Sequence, residues 1–190
     1  GASQAYGLSF TPGTWVESIQ ITKGAGSVVN GYESISGQIN TELLKPLKDI
    51  PFFLNAYGST DSRFELNTHF TKKISDKWAT SLFLHGNTRV AKNDMNHDHF
   101  LDNPLGKQVN VTNRWQYSNA ETGWVSFFNL KFMKDEKQTG ELDFDKKRDK
   151  LTTNFWGSEI NTERLDFTSK IGYVFKDMPY QSIGFQNAFS

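Results

Sequence analysis

Residues 163–175 read ERLDFTSKIGYVF, and the alternation in this stretch decides the fold class. One face carries Leu165, Phe167, Ser169, Ile171, Tyr173 and Phe175. The opposite face is polar from Arg164 to Lys170, and Val174 is its one apolar exception. A period of two predicts a β-strand with one apolar face. The segment exceeds the usual five or six residues of a sandwich strand, and it reaches the roughly nine to eleven that cross a membrane.

The same alternation extends along the chain and predicts an all-β protein. The predicted strands are 15–23, 34–44, 52–59, 64–72, 78–89, 109–117, 124–134, 163–176 and 181–189. Pro46 marks a junction, because proline cannot continue a strand ladder. Short turns at 60–63 and 75–77 are set against long polar segments at Val90–Lys107 and Asp135–Ser158. Short turns on one side and long loops on the other are typical of outer-membrane barrels.

Composition narrows the class of protein further. The 190 residues carry 21 basic and 21 acidic side chains, so we expect no nucleic-acid partner. Cysteine is absent, which excludes disulfides and thiol catalysis. Aromatic residues make up 14 % of a polar chain whose mean hydropathy is −0.58. No apolar run has the length of a membrane helix, so a membrane span would require a β-barrel. The first ten residues lack the pattern of a signal peptide.

The glycine-rich stretch 23–40, KGAGSVVNGYESISGQIN, raises the question of nucleotide binding. Gly26 and Gly31 have the spacing of a Walker motif, but tyrosine and glutamate follow where lysine and serine or threonine are needed. The dinucleotide motif fails because Val29 stands at its third glycine position. No helix is predicted after either pattern to receive a phosphate. Nucleotide binding is therefore not predicted.

This stretch instead resembles the end of the plug domain in TonB-dependent outer-membrane receptors. The matching parts are VESIQITKG at 16–24, SVVNG at 27–31 and SGQIN at 36–40. In that family they form a closing strand, a glycine-rich turn and the approach to the first barrel strand. Two departures are Ala25, where proline is common, and Asn30, which precedes Gly31 in place of the usual tyrosine.

The resemblance implies two parts of a larger architecture. Residues 1–45 would be the C-terminal part of a plug domain. Residues 46–190 would be the N-terminal, antiparallel strands of a transmembrane β-barrel, which has 22 strands in a full family member. The implied structural turns of the plug lie at Gly24, Gly26, Gly31 and Gly37, where glycine permits positive φ and close backbone approach.

The resemblance also implies a function in the outer membrane of a Gram-negative bacterium. Such a receptor is not an enzyme; it binds a scarce nutrient such as a siderophore or other metal chelate, cobalamin or a glycan. Import follows plug movement driven by the TonB-ExbB-ExbD complex, through a TonB box that these residues do not include. Outer-membrane lipid and a surface lipoprotein are further implied partners. We expect any ligand contacts in this chain within 90–107 and 135–158.

A candidate calcium loop lies in residues 94–102, DMNHDHFLD. Its oxygen ligands, at the first, third, fifth and ninth positions, would be Asp94, Asn96, Asp98 and Asp102. The carbonyl of Phe100 would occupy the seventh. Two positions depart from the pattern, since His99 replaces the glycine of the sharp turn and Leu105 replaces the bidentate glutamate. A structural Ca²⁺, a metal-free polar turn, and a softer metal on His97 and His99 remain alternatives. No other cofactor is predicted.

The alternative to the transporter is a soluble, secreted β-sandwich that binds carbohydrate or a protein partner. The two hypotheses make different predictions about the burial of four side chains on the apolar face of 163–175. A sandwich predicts that Leu165, Phe167, Ile171 and Phe175 are fully buried, whereas a barrel turns them towards lipid. His69 and His85 lie in predicted strands without a nucleophile motif, so no enzymatic activity is predicted.

Overall fold

The computed structural model describes residues 7–26, 35–178 and 180–190. The chain is all-β with antiparallel pairing, as predicted. Two short 3₁₀ turns, Gly7–Phe10 and Gly13–Trp15, precede the strands. The strands are β1 Val16–Lys23, β2 Gly37–Leu43, β3 Phe52–Gly58, β4 Arg63–Lys73, β5 Trp78–Arg89, β6 Leu105–Asn119, β7 Trp124–Gly140, β8 Gly157–Val174 and β9 Ser182–Phe189. Within the described residues, no helix is long and apolar enough to cross a membrane.

The strands form two separate sheets. β1 and β2 make a hairpin, and β3 to β9 form a seven-stranded meander in sequence order. In the described part of the chain no ladder joins β3 to β9, so the larger sheet is open. Pro46 lies between the two sheets and is fully buried. The connection docks on the larger sheet, because Leu47 N–H donates to Gln116 Oε1 at 3.1 Å.

Each of the nine predicted segments contains a strand, but three strands are longer than predicted by four residues or more. Residues 135–140 and 157–158, predicted as loop, and 159–162, outside any predicted strand, extend β7 and β8, and β6 begins at Leu105. The extended pairing places Lys134 opposite Glu163 and runs to the pair Gly140 and Gly157. The paired side chains of the extension are mostly polar, such as Glu136 opposite Asn161 and Thr139 opposite Ser158, so the pairing does not depend on an apolar face. The second long loop is therefore 141–156.

The turns separate into two ends of the larger sheet. The turns 59–62, 90–104 and 141–156 lie at one end, called the long-loop end. The turns 74–77, 120–123 and 175–181 lie at the other, called the short-turn end. The sequence analysis grouped the turn at 60–63 with the short turn at 75–77, and this grouping is wrong. Successive turns of a meander alternate between ends, so the turn after β3 must share an end with the long loops.

The face of the larger sheet that points away from residues 9–15, called the outer face, is apolar and exposed. Its exposed side chains include Phe52, Leu54, Leu66, Phe70, Leu82, Val109, Leu130, Phe132 and Phe185. Leu165 is 63 % exposed, and Phe167 and Ile171 are each 39 % exposed. Phe175, just beyond β8, is half-buried. The full burial that a sandwich predicts for these four residues is wrong, because no second sheet covers this face in the described residues.

The opposite face, called the inner face, holds the core. Its buried side chains are mostly polar: Asn67, His69, Ser81, His85, Gln108, Asn110 and Thr112, with Phe83 among them. Residues 9–15 and the hairpin of β1 and β2 lie on this side. The core therefore differs from that of a soluble globule, since polar groups are covered and apolar groups are exposed.

Candidate functional site

Residues 9–15, called the N-terminal segment, are held on the inner face by side chains of β6 and β7. Gln108 Nε2 donates to the Ser9 carbonyl at 3.2 Å. The Phe10 carbonyl accepts from Asn110 Nδ2 and from Lys131 Nζ, each at 2.7 Å. Such bonds satisfy backbone groups of a segment that belongs to no ladder of the larger sheet.

Trp15 fixes the end of this segment. Its side chain is 1 % exposed, and its ring lies 5.5 Å from the ring of Phe83 and 6.4 Å from that of His85. The Trp15 carbonyl accepts from the N–H of Leu44, just after β2. The indole therefore joins the N-terminal segment, the hairpin and the wall of the larger sheet at one point.

A cavity of about 330 Å³ lies beside this segment and faces the long-loop end. Its lining includes Thr11 and Gly13 from the segment, and His85, Arg89 and Gln108 from the sheet. Its charged lining comprises three cationic side chains and three carboxylates. The cations are Arg63, Arg89 and Lys137, and the carboxylates are Glu65, Asp135 and Glu136. We call it the upper cavity.

Each cationic side chain of the upper cavity has a carboxylate partner. Arg63 lies 2.8 Å from Glu65, and Arg89 lies 2.9 Å from Asp61 in the first turn. Lys137 pairs with Asp135. A ligand entering the cavity would therefore meet hydrogen-bonding groups with no excess of either charge.

A chain of hydrogen bonds orients the polar side chains of this cavity. His85 Nδ1 lies 2.6 Å from Asn67 Oδ1, and Asn87 Nδ2 lies 2.9 Å from His85 Nε2. A neutral imidazole with its proton on Nδ1 satisfies both contacts, because it donates to Asn67 and accepts from Asn87. Gln108 Nε2 also donates to Asp135 Oδ1 at 3.1 Å. The cavity wall is preorganised before any ligand arrives.

The two long loops, predicted to carry ligand contacts, bind each other at the long-loop end. Leu101 N–H donates to the Gly140 carbonyl at 2.9 Å, and Leu142 N–H donates to the His99 carbonyl at 2.8 Å. Phe144 is buried, and a Cβ added to Gly157 would lie 2.3 Å from its ring. The loops therefore form one ordered body rather than two independent flaps.

The tip of loop 141–156 is stabilised by buried Asp149. Its carboxylate accepts from Arg148 Nε and from the backbone N–H of Asp145. The hydrogen bond from Arg148 and then that backbone N–H hold the pKa of Asp149 below its ordinary value. This carboxylate is part of the loop's own structure.

The predicted calcium residues lie together in loop 90–104, where they bind the loop's own backbone. Asp94 accepts from the N–H groups of Asp98 and His99 at 3.1 and 3.0 Å. Asp102 accepts from the N–H of Met95 at 2.8 Å, and Asn96 Nδ2 donates to Asp98. No group of three or more potential His, Asp or Glu metal ligands occurs in the described residues. The calcium site remains a prediction.

Two backbone features of this loop bear on that prediction. His99, which stands at the glycine position of the calcium pattern, has a φ of +68°, so histidine adopts the left-handed conformation usual for glycine there. His97 also has positive φ, at 59°. The N–H of Phe100 is the main cause of a lowered pKa at Asp98, followed by the amide of Asn96. The loop has the turn of the pattern, but Leu105 still supplies no carboxylate.

The glycines predicted as plug turns lie around the hairpin of β1 and β2. Gly24 directly follows β1 with a φ of +81°, and its N–H donates to the Ser36 carbonyl. Gly37 begins β2, and a Cβ there would lie 3.0 Å from the Thr22 carbonyl oxygen. Gly26 follows two residues after Gly24, and Gly31 lies outside the described residues.

The charged residues of the hairpin pair at its open end. Lys45 Nζ lies 3.1 Å from Glu17 and 3.2 Å from Glu42. Hydrogen bonds to Glu17 and then Glu42 raise the pKa of Lys45 above its ordinary value. One ammonium therefore joins both strands of the hairpin to the connection that leads into β3.

Sequence reasoning did not find the inner-face residues Gln108, Asn110 and Lys131, although it predicted their strands. Their only signal is that they alternate with outward apolar residues such as Val109 and Val111. No family model, curated protein or solved structure matches the chain.

Proposed function

We propose that this chain is part of a TonB-dependent outer-membrane transporter. In this proposal the seven-stranded sheet is a section of the barrel wall, and residues 1–45 are the end of the plug inside it. The observation that carries the proposal is the burial pattern of the larger sheet, which is the reverse of that in a soluble protein: its apolar face is exposed and its polar face is covered. A contiguous apolar face of this extent is typical of contact with lipid or another apolar surface.

The height of the apolar band supports a membrane wall. On β7, outward apolar residues run from Trp124 to Phe132, and on β8 from Leu165 to Tyr173. Each interval spans eight positions, or about 26 Å along a strand. A strand tilt of roughly 40° reduces this to about 20 Å, close to the roughly 25 Å apolar band of outer-membrane barrels.

Aromatic and charged residues border this band. At the short-turn end the rings of Trp78 and Tyr117 lie 4.9 Å apart, and those of Trp124 and Tyr173 lie 5.1 Å apart. Trp and Tyr prefer the interface between lipid and water. Beyond Phe132, towards the long loops, outward positions become charged. The sequence of aromatic, apolar and charged levels matches the transition from one interface through lipid to water.

Some polar side chains within the band hydrogen-bond to one another. On the outer face Asn113 Nδ2 donates to Thr80 Oγ1 at 3.2 Å. The indole of Trp115 donates to Asn113 Oδ1 at 2.6 Å. Polar groups in hydrocarbon require such internal partners because no water is present to replace them. This network therefore supports a lipid-facing position.

The upper cavity supports a receptor role at the outer surface. It lies beneath the ordered long loops and beside the N-terminal segment, where a transporter would bind its nutrient before import. Its paired charges and aligned amides suit a ligand rich in hydrogen-bonding groups. The proposed nutrients are a metal chelate such as a siderophore, cobalamin or a glycan. Import would require the TonB-ExbB-ExbD complex to displace the segment that covers the inner face.

A soluble sandwich that binds carbohydrate or protein has less support. It requires a second layer over Leu165, Phe167 and Ile171, and in the described residues these side chains are uncovered.

The proposal is tested in a Gram-negative host that expresses the protein, by separating inner and outer membranes on a sucrose gradient. We expect the protein in the outer-membrane fraction and a requirement for detergent during purification. Growth of a strain that lacks the protein would then be compared with growth of the parent strain. Ferric siderophore, cobalamin or oligosaccharide would be the limiting nutrient in turn, and each comparison would be made with and without a functional TonB protein. A protein that is soluble and monodisperse without detergent would refute the proposal.

A further inference from the structure

Arg114 is a partly buried cation on the inner face of β6 that lacks a counterion at contact distance. Its Nε is buried without a hydrogen-bond partner in the described residues. Its guanidinium carbon lies 5.0 Å from the centre of the Phe127 ring on β7. In the part of the chain that the structure describes, no salt bridge involves Arg114 or Lys170. A guanidinium removed from water without an anion is unfavourable.

Lys170 lines the same cavity as Arg114 and lies on the other side of β7, offset by two residues along the sheet. Lys170 on β8 is directly opposite Phe127 on β7, while Arg114 on β6 is opposite Asn129. β6 and β8 are two strand spacings apart, or about 10 Å. Both side chains are long and lie on the same face, so their cationic ends are able to approach one anion from either side of the Phe127 ring.

The nearby carboxylates do not neutralise this group fully. Glu17 and Glu42 act on Arg114 through space, but both contact Lys45 directly. These five side chains comprise three cations and two carboxylates. One positive charge remains uncompensated, and neither carboxylate lies at salt-bridge distance from Arg114.

The space between these groups is a cavity of about 370 Å³ between β2 and the inner face, called the lower cavity. Arg114, Lys170, Phe127 and Gln186 line it from the sheet, and Asn40 lines it from β2. Gln186 is directly opposite Lys170 in the ladder of β8 and β9, so its amide is a further donor beside the ammonium. Glu42 and Lys45 also line the cavity and pair with each other. Besides that ion pair, the cavity joins the two cations Arg114 and Lys170, an amide and room for a small molecule.

We propose that the lower cavity binds a small oxyanion, either phosphate or a carboxylate, between Arg114 and Lys170. Arg provides the planar fork that matches two oxygens of such an anion, and Lys provides a point charge. The ring of Phe127 supports the guanidinium from below. The site uses only the inner face and the hairpin, so it does not depend on the membrane assignment.

The test is isothermal titration of the purified full chain at pH 7 with sodium phosphate and, separately, sodium citrate. Ionic strength is held constant with sodium chloride, because a carboxylate salt such as gluconate would itself compete for the proposed site. We expect saturable binding of one anion per chain. Arg114→Gln and Lys170→Gln should each weaken it about tenfold or more, because each removes a charge-assisted contact. Arg114→Lys should restore much of the affinity.

The matched control is Lys150→Gln, which removes one exposed cation from the loop 141–156 and should leave the affinity unchanged. Thermal melting monitored by tryptophan fluorescence shows whether each variant folds. If Arg114→Gln does not fold, the affinity of Lys170→Gln tests the proposal. Absence of saturable heat with both anions would overturn the proposal. Equal affinity in wild type and Lys170→Gln would overturn it as well. Neither result would affect the test by membrane fractionation.

Discussion

Replacement of Leu130 by arginine distinguishes a lipid-facing outer face from a water-facing one. Leu130 lies on β7, is 52 % exposed, and belongs to the apolar band between Trp124 and Phe132. It is two positions from the centre of that band, or about 7 Å along the strand and about 5 Å in depth after allowing for strand tilt. An arginine near the middle of the bilayer destabilises a barrel by about 2–4 kcal/mol. We therefore expect Leu130→Arg to lower the free energy of unfolding by about 2 kcal/mol in lipid.

The assay is guanidinium unfolding and refolding of the protein in phosphatidylcholine vesicles, followed by tryptophan fluorescence. Val90→Arg is the control, because Val90 is also apolar and exposed but lies in the first long loop beyond the band. A surface substitution of that kind changes stability by about 0.5 kcal/mol or less. If Leu130→Arg in vesicles is as mild as Val90→Arg, the outer face does not contact lipid and the reasoning is wrong.

Three further predictions concern the loops at the long-loop end. Calcium titration of the intact protein should give heat that Asp98→Ala removes, and a wild type without heat would end the calcium assignment. Because the pKa of Asp98 is lowered in the folded loop, its stabilising effect is complete above the ordinary value of 3.8 and is lost as pH falls through the lower folded value. Hydrogen-exchange protection of the Phe100 amide should therefore fall between pH 4 and pH 2 (approximate limits), and constant protection would contradict this. Gly157→Ala should displace Phe144, cost about 1–3 kcal/mol and speed tryptic cleavage of the preceding loop, whereas Gly86→Ala, with its nearest atom at 3.8 Å, should not.

The strands were predictable because their signal is local. In 163–175 the alternation of apolar and polar residues appears in consecutive residues, and the structure places Leu165, Phe167 and Ile171 on one exposed face. The signal weakens where both faces are polar. The segments DEKQTG at 135–140 and GSEINT at 157–162 do not look like strands individually, and their strand character arises from pairing with each other.

The inner-face site was not predictable for a different physical reason. Asn110 and Lys131 are separated from Phe10 by 100 and 121 positions, and a single carbonyl oxygen brings them together. Polar residues that alternate with Val109 and Val111 indicate which face they occupy. They do not indicate which segment covers that face. The resemblance of 16–40 to a plug suggested an internal segment, but its partners depend on register and on a three-dimensional path.

The way in which the N-terminal segment is held has a consequence for movement. No ladder joins the hairpin of β1 and β2 to the seven-stranded sheet in the described residues. The segment is held instead by separate bonds to the Ser9 and Phe10 carbonyls and by the burial of Trp15. Each hydrogen bond contributes about 0.5–1.5 kcal/mol net, and bonds to a charged group about twice that. In the proposed transporter, a pull on the chain would break these separate contacts one after another while the ladders of β3 to β9 stay intact. The proposal thus predicts a covering segment that detaches without unfolding the larger sheet, as TonB-coupled import would require.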